Sequence, residues 1–178
     1  MRIQKVVVGS LSTNCYLIYD NGEMIIVDPG AEADKILQEV SAAGCKVKYV
    51  INTHSHFDHT GANKMVLKKT GAQFLENLQE GEKIAVGDAM LEVILTPGHK
   101  EDAICLLGDG FMIAGDTLFE DGRGRTDLPG GDIKELKKTV EKLKEKLPPE
   151  TVVYPGHGNY FTAKDHHLLS GEKRIRNI

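Results

Sequence analysis

His54-Ser55-His56-Phe57-Asp58-His59 follows directly on the apolar run Tyr49-Val50-Ile51. With seven histidines and twelve aspartates in 178 residues, chance places the pattern His-x-His-x-Asp-His on the order of one time in a thousand. Three imidazoles and a carboxylate at the end of a strand are good zinc or iron ligands, aimed from a loop where several can meet at one point. The bland alternative is a polar turn whose histidines only hydrogen-bond, and the improbability of the pattern sets it aside. Four donors so close on the chain fit poorly around one ion. Sharing them between two adjacent ions is easier, and that demands further donors elsewhere.

Working outward, Met1 to Val8, Thr13 to Tyr19 and Met24 to Val27 read as strands, with Asn21-Gly22 as a two-residue hairpin turn. Ala33, Ile36, Leu37, Val40 and Ala43 recur at helical spacing before Gly44, and a strand follows at Val47 to Asn52. After the histidine loop the spacing predicts a helix over Ala62 to Lys69 and a short strand at Gln73 to Leu75. Strands are then expected at Lys83 to Val86, Met90 to Leu95, Ala103 to Leu107 and Phe111 to Ala114, with Asp109-Gly110 inside the tightest turn. Ile133, Leu136, Val140, Leu143 and Leu147 mark one face of a long helix capped by Asp132 and ended by Pro148-Pro149. A last strand, Thr151 to Tyr154, precedes Pro155-Gly156-His157-Gly158 and a short C-terminal helix. Each half thus runs from strands through a helix to a strand ending in a histidine loop, which suggests two packed βα layers meeting at one site.

The further donors stand in similar turns: Thr96-Pro97-Gly98-His99, Ala114-Gly115-Asp116 and Pro155-Gly156-His157. Singly each is weak, since a lone histidine or aspartate at a strand end is more often a cap or surface residue. Together they bring the set to seven, namely His54, His56, Asp58, His59, His99, Asp116 and His157, beside Gly or Pro that lets backbone pass close to an ion. Spacing alone does not apportion them between metals. The adjacent His166-His167 would point apart on a helix and reads as surface.

Composition excludes several classes. No run approaches the roughly 18 apolar residues of a membrane span, and Met1 to Gly9 lacks the apolar stretch of a secretory signal, so a cytoplasmic location is expected. Cys15, Cys45 and Cys105 are odd in number and widely spaced, and they read as reduced thiols. The net charge of -4, the lack of tryptophan and the scarcity of other aromatics speak against a nucleic-acid partner. At 178 residues one domain, 1–178, is expected.

His54-x-His56-x-Asp58-His59, with Thr96-Pro97-Gly98-His99, Gly115-Asp116-Thr117-Leu118-Phe119 and Pro155-Gly156-His157-Gly158, resembles the metallo-β-lactamase superfamily over nearly the whole chain. Val27-Asp28-Pro29-Gly30 is similar to its first motif, whose aspartate supports the metal loop from behind the ligands. Gly122-Arg123-Gly124-Arg125-Thr126-Asp127-Leu128-Pro129-Gly130-Gly131-Asp132 resembles the glyoxalase II-like hydrolases and the related persulfide dioxygenases. The resemblance implies an α/β (α+β) fold: a four-layer αββα sandwich with two β-sheets face to face and helices outside. It also implies two divalent ions, zinc first with iron or manganese as alternatives. His54, His56 and His99 would hold one, Asp58, His59 and His157 the other, and Asp116 would bridge.

The implied activity is hydrolysis of a small thioester such as S-lactoylglutathione by a metal-bridging hydroxide, with Asp58 as both ligand and proton acceptor. Its alternative is a mononuclear-iron persulfide dioxygenase using His54, His99 and Asp116. A β-lactamase, a nuclease and a non-catalytic metal-binding scaffold rank lower. The chain departs from many relatives at Lys100-Glu101-Asp102-Ala103, where they carry Thr-Pro-Gly-Ser. Larger glyoxalase II enzymes also append a helical domain that supplies much of the glutathione contact, whereas 21 residues follow His157 here. Arg123, Arg125, Lys100, Tyr160 and Lys164 are the candidates to bind a substrate carboxylate.

Overall fold

The computed structural model describes residues 1–170. Asn21 and Gly22 take φ of 42° and 80°, the left-handed pair that a two-residue hairpin needs. They join β2 (Thr13–Asp20) to β3 (Glu23–Val27), and β1 (Arg2–Val8) pairs antiparallel on the other side of β2. Parallel neighbours cannot be linked by a tight turn, so the chain leaves β3 through α1 (Ala33–Ala43) and returns as β4 (Lys46–Ile51). After α2 (Phe57–Thr60) and α3 (Asn63–Thr70), β5 (Gln73–Leu75) completes the sheet in the order β1-β2-β3-β4-β5.

The second sheet begins as an antiparallel meander of β6 (Lys83–Val86), β7 (Ala89–Leu95), β8 (Ile104–Gly108) and β9 (Phe111–Gly115). A small separate hairpin follows, β10 (Leu118–Phe119) and β11 (Gly122–Arg123), and then α4 (Ile133–Lys146). β12 (Val152–Pro155) adds parallel to β9, and β13 (Phe161–Thr162) pairs antiparallel on its outer side. The order is β13-β12-β9-β8-β7-β6.

Met24-Ile25-Ile26-Val27 is apolar at every position because β3 is covered on both faces. Ile25 and Val27 point inward, where the first sheet meets Leu91, Val93, Leu106 and Ile113 of the second. Met24 and Ile26 point outward onto a layer that includes Ile36 of α1 and Val66 of α3. On the far side Val140 and Leu143 of α4 pack against Ile94, Met112 and Val153. Each such side chain contributes about 1.5–3 kcal/mol of transfer free energy. The result is the four-layer αββα sandwich.

Several elements depart from the sequence reading. The polar histidine loop contains the single turn α2, and neither the β10–β11 hairpin nor β13 was expected. Where a short C-terminal helix is expected, the described residues show a 3-10 turn at Ala163–Asp165. Residues 171–178 lie outside the described part. His166 is not on a helix face in solvent: it is buried, with its ring stacked on Phe161.

Candidate metal centre

β12 runs parallel to β9, and β7 lies two antiparallel steps from β9, so all three end in the same direction. Their ends carry His157, Asp116 and His99, while β4 of the other sheet ends at His54. Both sheets deliver these turns to one edge of the sandwich, and all seven donors from the sequence meet there. One group is His54, His56 and His99, another is Asp58, His59 and His157, and His54, His59 and Asp116 lie between them, with the ligand atoms of each group within 4.8 Å of one another. Nδ1 of His56 is 3.0 Å from Nε2 of both His54 and His99. Asp116 reaches both sides: one oxygen is 3.4 Å from His59 Nε2, the other 3.7 Å from His99 and 3.6 Å from His157.

The far nitrogen of each buried histidine is held so that the near one faces this point. Thr53 has one hydroxyl proton, which it gives to Asp28 Oδ2 at 2.7 Å. Its oxygen, 3.1 Å from His54 Nδ1, therefore accepts a hydrogen bond from Nδ1–H of that ring and leaves Nε2 bare. The same Asp28 oxygen lies 2.9 Å from His59 Nδ1. Nδ1 of His99 donates to the Arg125 carbonyl at 2.8 Å, and Nδ1 of His157 to the Leu11 carbonyl at 3.0 Å. Asp28 thus orients one histidine from each cluster, and its own φ of 54° is a strained conformation for a residue with a Cβ.

Burial and neighbouring charge set the protonation states. Burial, together with the nearby His59, pushes the His54 imidazole down to about 4, so it is neutral at pH 7. Burial works against ionising Asp116, yet its contact with His59 and the charge of the surrounding histidines outweigh that and lower it to about 2. For His59 burial favours the neutral ring, but Asp28 and Asp116 prevail and raise it to about 10. His59 must release that proton before Nε2 can take a cation.

The donor set fits divalent ions. Among the described residues, both ring nitrogens of His59 and Asp116 Oδ1 are buried without a hydrogen-bond partner; Nδ1 has the Asp28 carboxylate 2.9 Å away as its charge partner, whereas Nε2 and Oδ1 face the centre, a cost of about 1–3 kcal/mol each unless a ligand satisfies them. A tetrahedral ion with bonds of about 2.0–2.1 Å spaces its donors about 3.3 Å apart, close to the separations seen here. The backbone also leaves the room: a Cβ on Gly156 would stand 2.2 Å from Asp116 Oδ1 and 2.7 Å from His59 Cε1. On Gly30 it would stand 1.5 Å from the Asp58 carbonyl oxygen, so only glycine lets α2 sit this close.

The expected substrate contacts divide. Arg125 lies beside the centre through its carbonyl, while its guanidinium pairs with Asp127 at 2.7–2.8 Å in solvent, a bond weak enough to exchange for another anion. Arg123 sits on β11 with Nη1 against the Gly124 carbonyl, and Lys100 reaches the Pro129 carbonyl at 3.4 Å. Tyr160 is exposed and packs on Tyr154, with ring centroids 5.7 Å apart. Lys164 stands apart from the other four. Its amide bonds Pro149 and its ammonium bonds Glu150, ahead of the start of β12, so the length of that strand separates it from His157. Thr13, which donates to Asp58 Oδ2 at 3.0 Å, was not foreseen, nor was the Leu11 carbonyl. Neither lies in a motif that spacing could reveal.

The model of the metallo-β-lactamase superfamily matches residues 8–76 and 72–157. The chain belongs to this superfamily. A hydroxyacylglutathione hydrolase from Polaromonas sp. (strain JS666) is 34% identical over 88% of this chain and 66% of its own length, so the chain spans about two thirds of that relative. Hydroxyacylglutathione hydrolase GloC of Haemophilus influenzae is 28% identical, with 91% of this chain and 93% of that protein covered. Among solved structures, TTHA1623 in a di-iron-bound form superimposes with a TM-score of 0.85 at 27% identity, covering 97% and 98% of the two chains. For a superfamily member the cluster has the composition of a divalent metal site. Among the described residues no helix is long and apolar enough to cross a membrane.

Proposed function

We propose that this superfamily member is a metal-dependent hydrolase of small thioesters, of the glyoxalase II type. The observation that carries the reading is the convergence of seven donors into two clusters, with Asp116 within 3.7 Å of histidines in both. His54, His56 and His99 would hold one ion and Asp58, His59 and His157 the other, with Asp116 shared. Zinc is our first assignment, and the di-iron form of TTHA1623 supports iron as the alternative. Bound there, such ions would lower the pKa of a shared water to about 7 and so supply hydroxide at neutral pH.

The chain's own residues account for the rest. His54, His59 and His99 are buried behind the centre while His56 and His157 are half-exposed, so the substrate approaches over the latter pair. Asp58, steadied by Thr13 and 3.3 Å from His157, is placed to accept a proton on that open side. A thiolate leaving group, with a pKa of about 8.5, departs without an acid from the protein. No cysteine competes as nucleophile: Cys15 and Cys105 are buried, burial raises the Cys105 thiol to about 11, and the half-buried Cys45 stands just before β4, at the end of that strand opposite the histidine loop. The hydroxyacylglutathione hydrolases among the relatives support a thioester as substrate.

The test is metal analysis together with turnover of S-lactoylglutathione under argon. The wild-type protein should carry two ions and turn over without oxygen. His56→Ala and Asp116→Ala should fold, bind less metal and lose at least about 100-fold in kcat. Full activity in either metal-poor variant overturns the reading. One iron per chain with oxygen consumption on a persulfide would replace it with a dioxygenase.

A further inference from the structure

The β10–β11 hairpin belongs to neither main sheet and has only two residue pairs, Leu118 with Arg123 and Phe119 with Gly122. An isolated hairpin of that size is not stable in water, so something else holds it. Its base is fixed by the donor residues. Asp116 lies two residues before β10, the Gly124 amide donates to the Thr117 carbonyl at 3.2 Å, and the Arg125 carbonyl accepts a hydrogen bond from His99 Nδ1. A Cβ on Gly124 would fall 2.0 Å from the Asp116 carbonyl oxygen and 2.9 Å from His99 Cβ, so the base is packed tightly between two donors.

The tip is held from the C-terminal segment. Nε2 of His166 lies 2.9 Å from the Phe119 carbonyl and 3.0 Å from the Gly122 carbonyl. Both partners only accept, so Nε2 carries the proton and shares it between the two strands. The ring is 1% exposed and stacked on Phe161, 4.8 Å between centroids. Asn159 adds one exposed bond to Glu120 at 3.2 Å. The tip so held forms one wall of a hollow of about 370 Å³, lined by Phe119, Glu120, Asp121, His157, Gly158 and Asn159. That hollow borders the open side of the metal centre.

We infer that His166 is a positioning residue: it clasps the hairpin tip and thereby shapes the hollow beside His157 in which part of the substrate rests. The inference builds on the thioester-hydrolase reading. Because the hairpin base is locked by Asp116 and His99 independently, and His157 is anchored on the Leu11 carbonyl rather than on the hairpin, releasing the tip disturbs substrate fit and leaves the donors in place.

The experiment compares the full-length, metal-loaded protein with His166→Leu, which removes the donor, and His166→Gln, whose amide can donate to the same carbonyls. In His166→Leu, amide exchange at Phe119 to Arg123 should accelerate at least about tenfold, KM for S-lactoylglutathione should rise about tenfold, and kcat should stay within about twofold at unchanged metal content. His166→Gln should recover most of both effects. Phe161→Leu, which removes only the stacked ring, provides the same readouts at smaller size if His166→Leu does not fold. Unchanged hairpin exchange, or faster exchange with unchanged KM, overturns the inference. If the wild-type protein turns over no thioester, the functional reading fails by itself, and the exchange data still decide whether His166 holds the hairpin.

Discussion

Asp28 concentrates more of the site's order than any ligand does. Through Thr53 it fixes the tautomer of His54, and directly it faces His59 Nδ1. Asp28→Asn keeps the size and tolerates the left-handed backbone, but its amide would offer a proton where His59 now points one. His59 would then carry its proton on Nε2, toward the metal. The expected outcome is a loss of about 10–100-fold in metal affinity, with the fold intact. Metal titration of the two proteins measures it, and the nitrogen chemical shifts of His59 report the tautomer directly. The sequence showed Asp28 as a support because Val27-Asp28-Pro29-Gly30 is a motif. Thr13, Thr53 and the Leu11 carbonyl were illegible there: they act through hydrogen bonds to residues 45, 25 and 146 positions away, and nothing in a one-dimensional pattern marks such pairs.

At the scale of elements, what the sequence disclosed and what it concealed follow from length. The α4 stripe runs over four turns, and Asp132 caps it as expected, accepting from the Lys134 and Glu135 amides at 2.6 and 3.2 Å. The Asn21-Gly22 turn was legible because both residues tolerate positive φ. In contrast α2 has four residues and β10, β11 and β13 two each, too short for any periodicity. They exist because tertiary bonds hold them, as His166 does for the hairpin. The cap on α4 also reaches the site: the Asp132 amide donates to the Gly98 carbonyl at 2.8 Å, and Thr139 donates to the Pro97 carbonyl at 2.8 Å. Asp132→Ala loses the side-chain cap but keeps both of those bonds. Its expected cost is about 1 kcal/mol, or about 2–4 °C in Tm for a chain of this size. Thermal unfolding checks the cost, and metal content should not change.

For the whole molecule, the donors divide between the two sheets. His54, His56, Asp58 and His59 follow β4, whereas His99, Asp116 and His157 follow β7, β9 and β12. Bound ions would therefore tie one half of the sandwich to the other, in addition to the apolar layer between them, and only the folded chain presents the complete set. Binding to the folded state alone stabilises by about 4 kcal/mol when free metal exceeds Kd by about 1,000-fold. Chelation should accordingly lower Tm by about 10 °C, and adding zinc or iron back should restore it. The donors must be deprotonated to bind, so acidification should remove the same increment. The difference in Tm between loaded and chelated protein is then expected to shrink steadily from pH 8 toward pH 5. Calorimetric scans of both forms across that range measure it, and a Tm that ignores chelation at pH 8 would show that the two sheets meet without help from the ions.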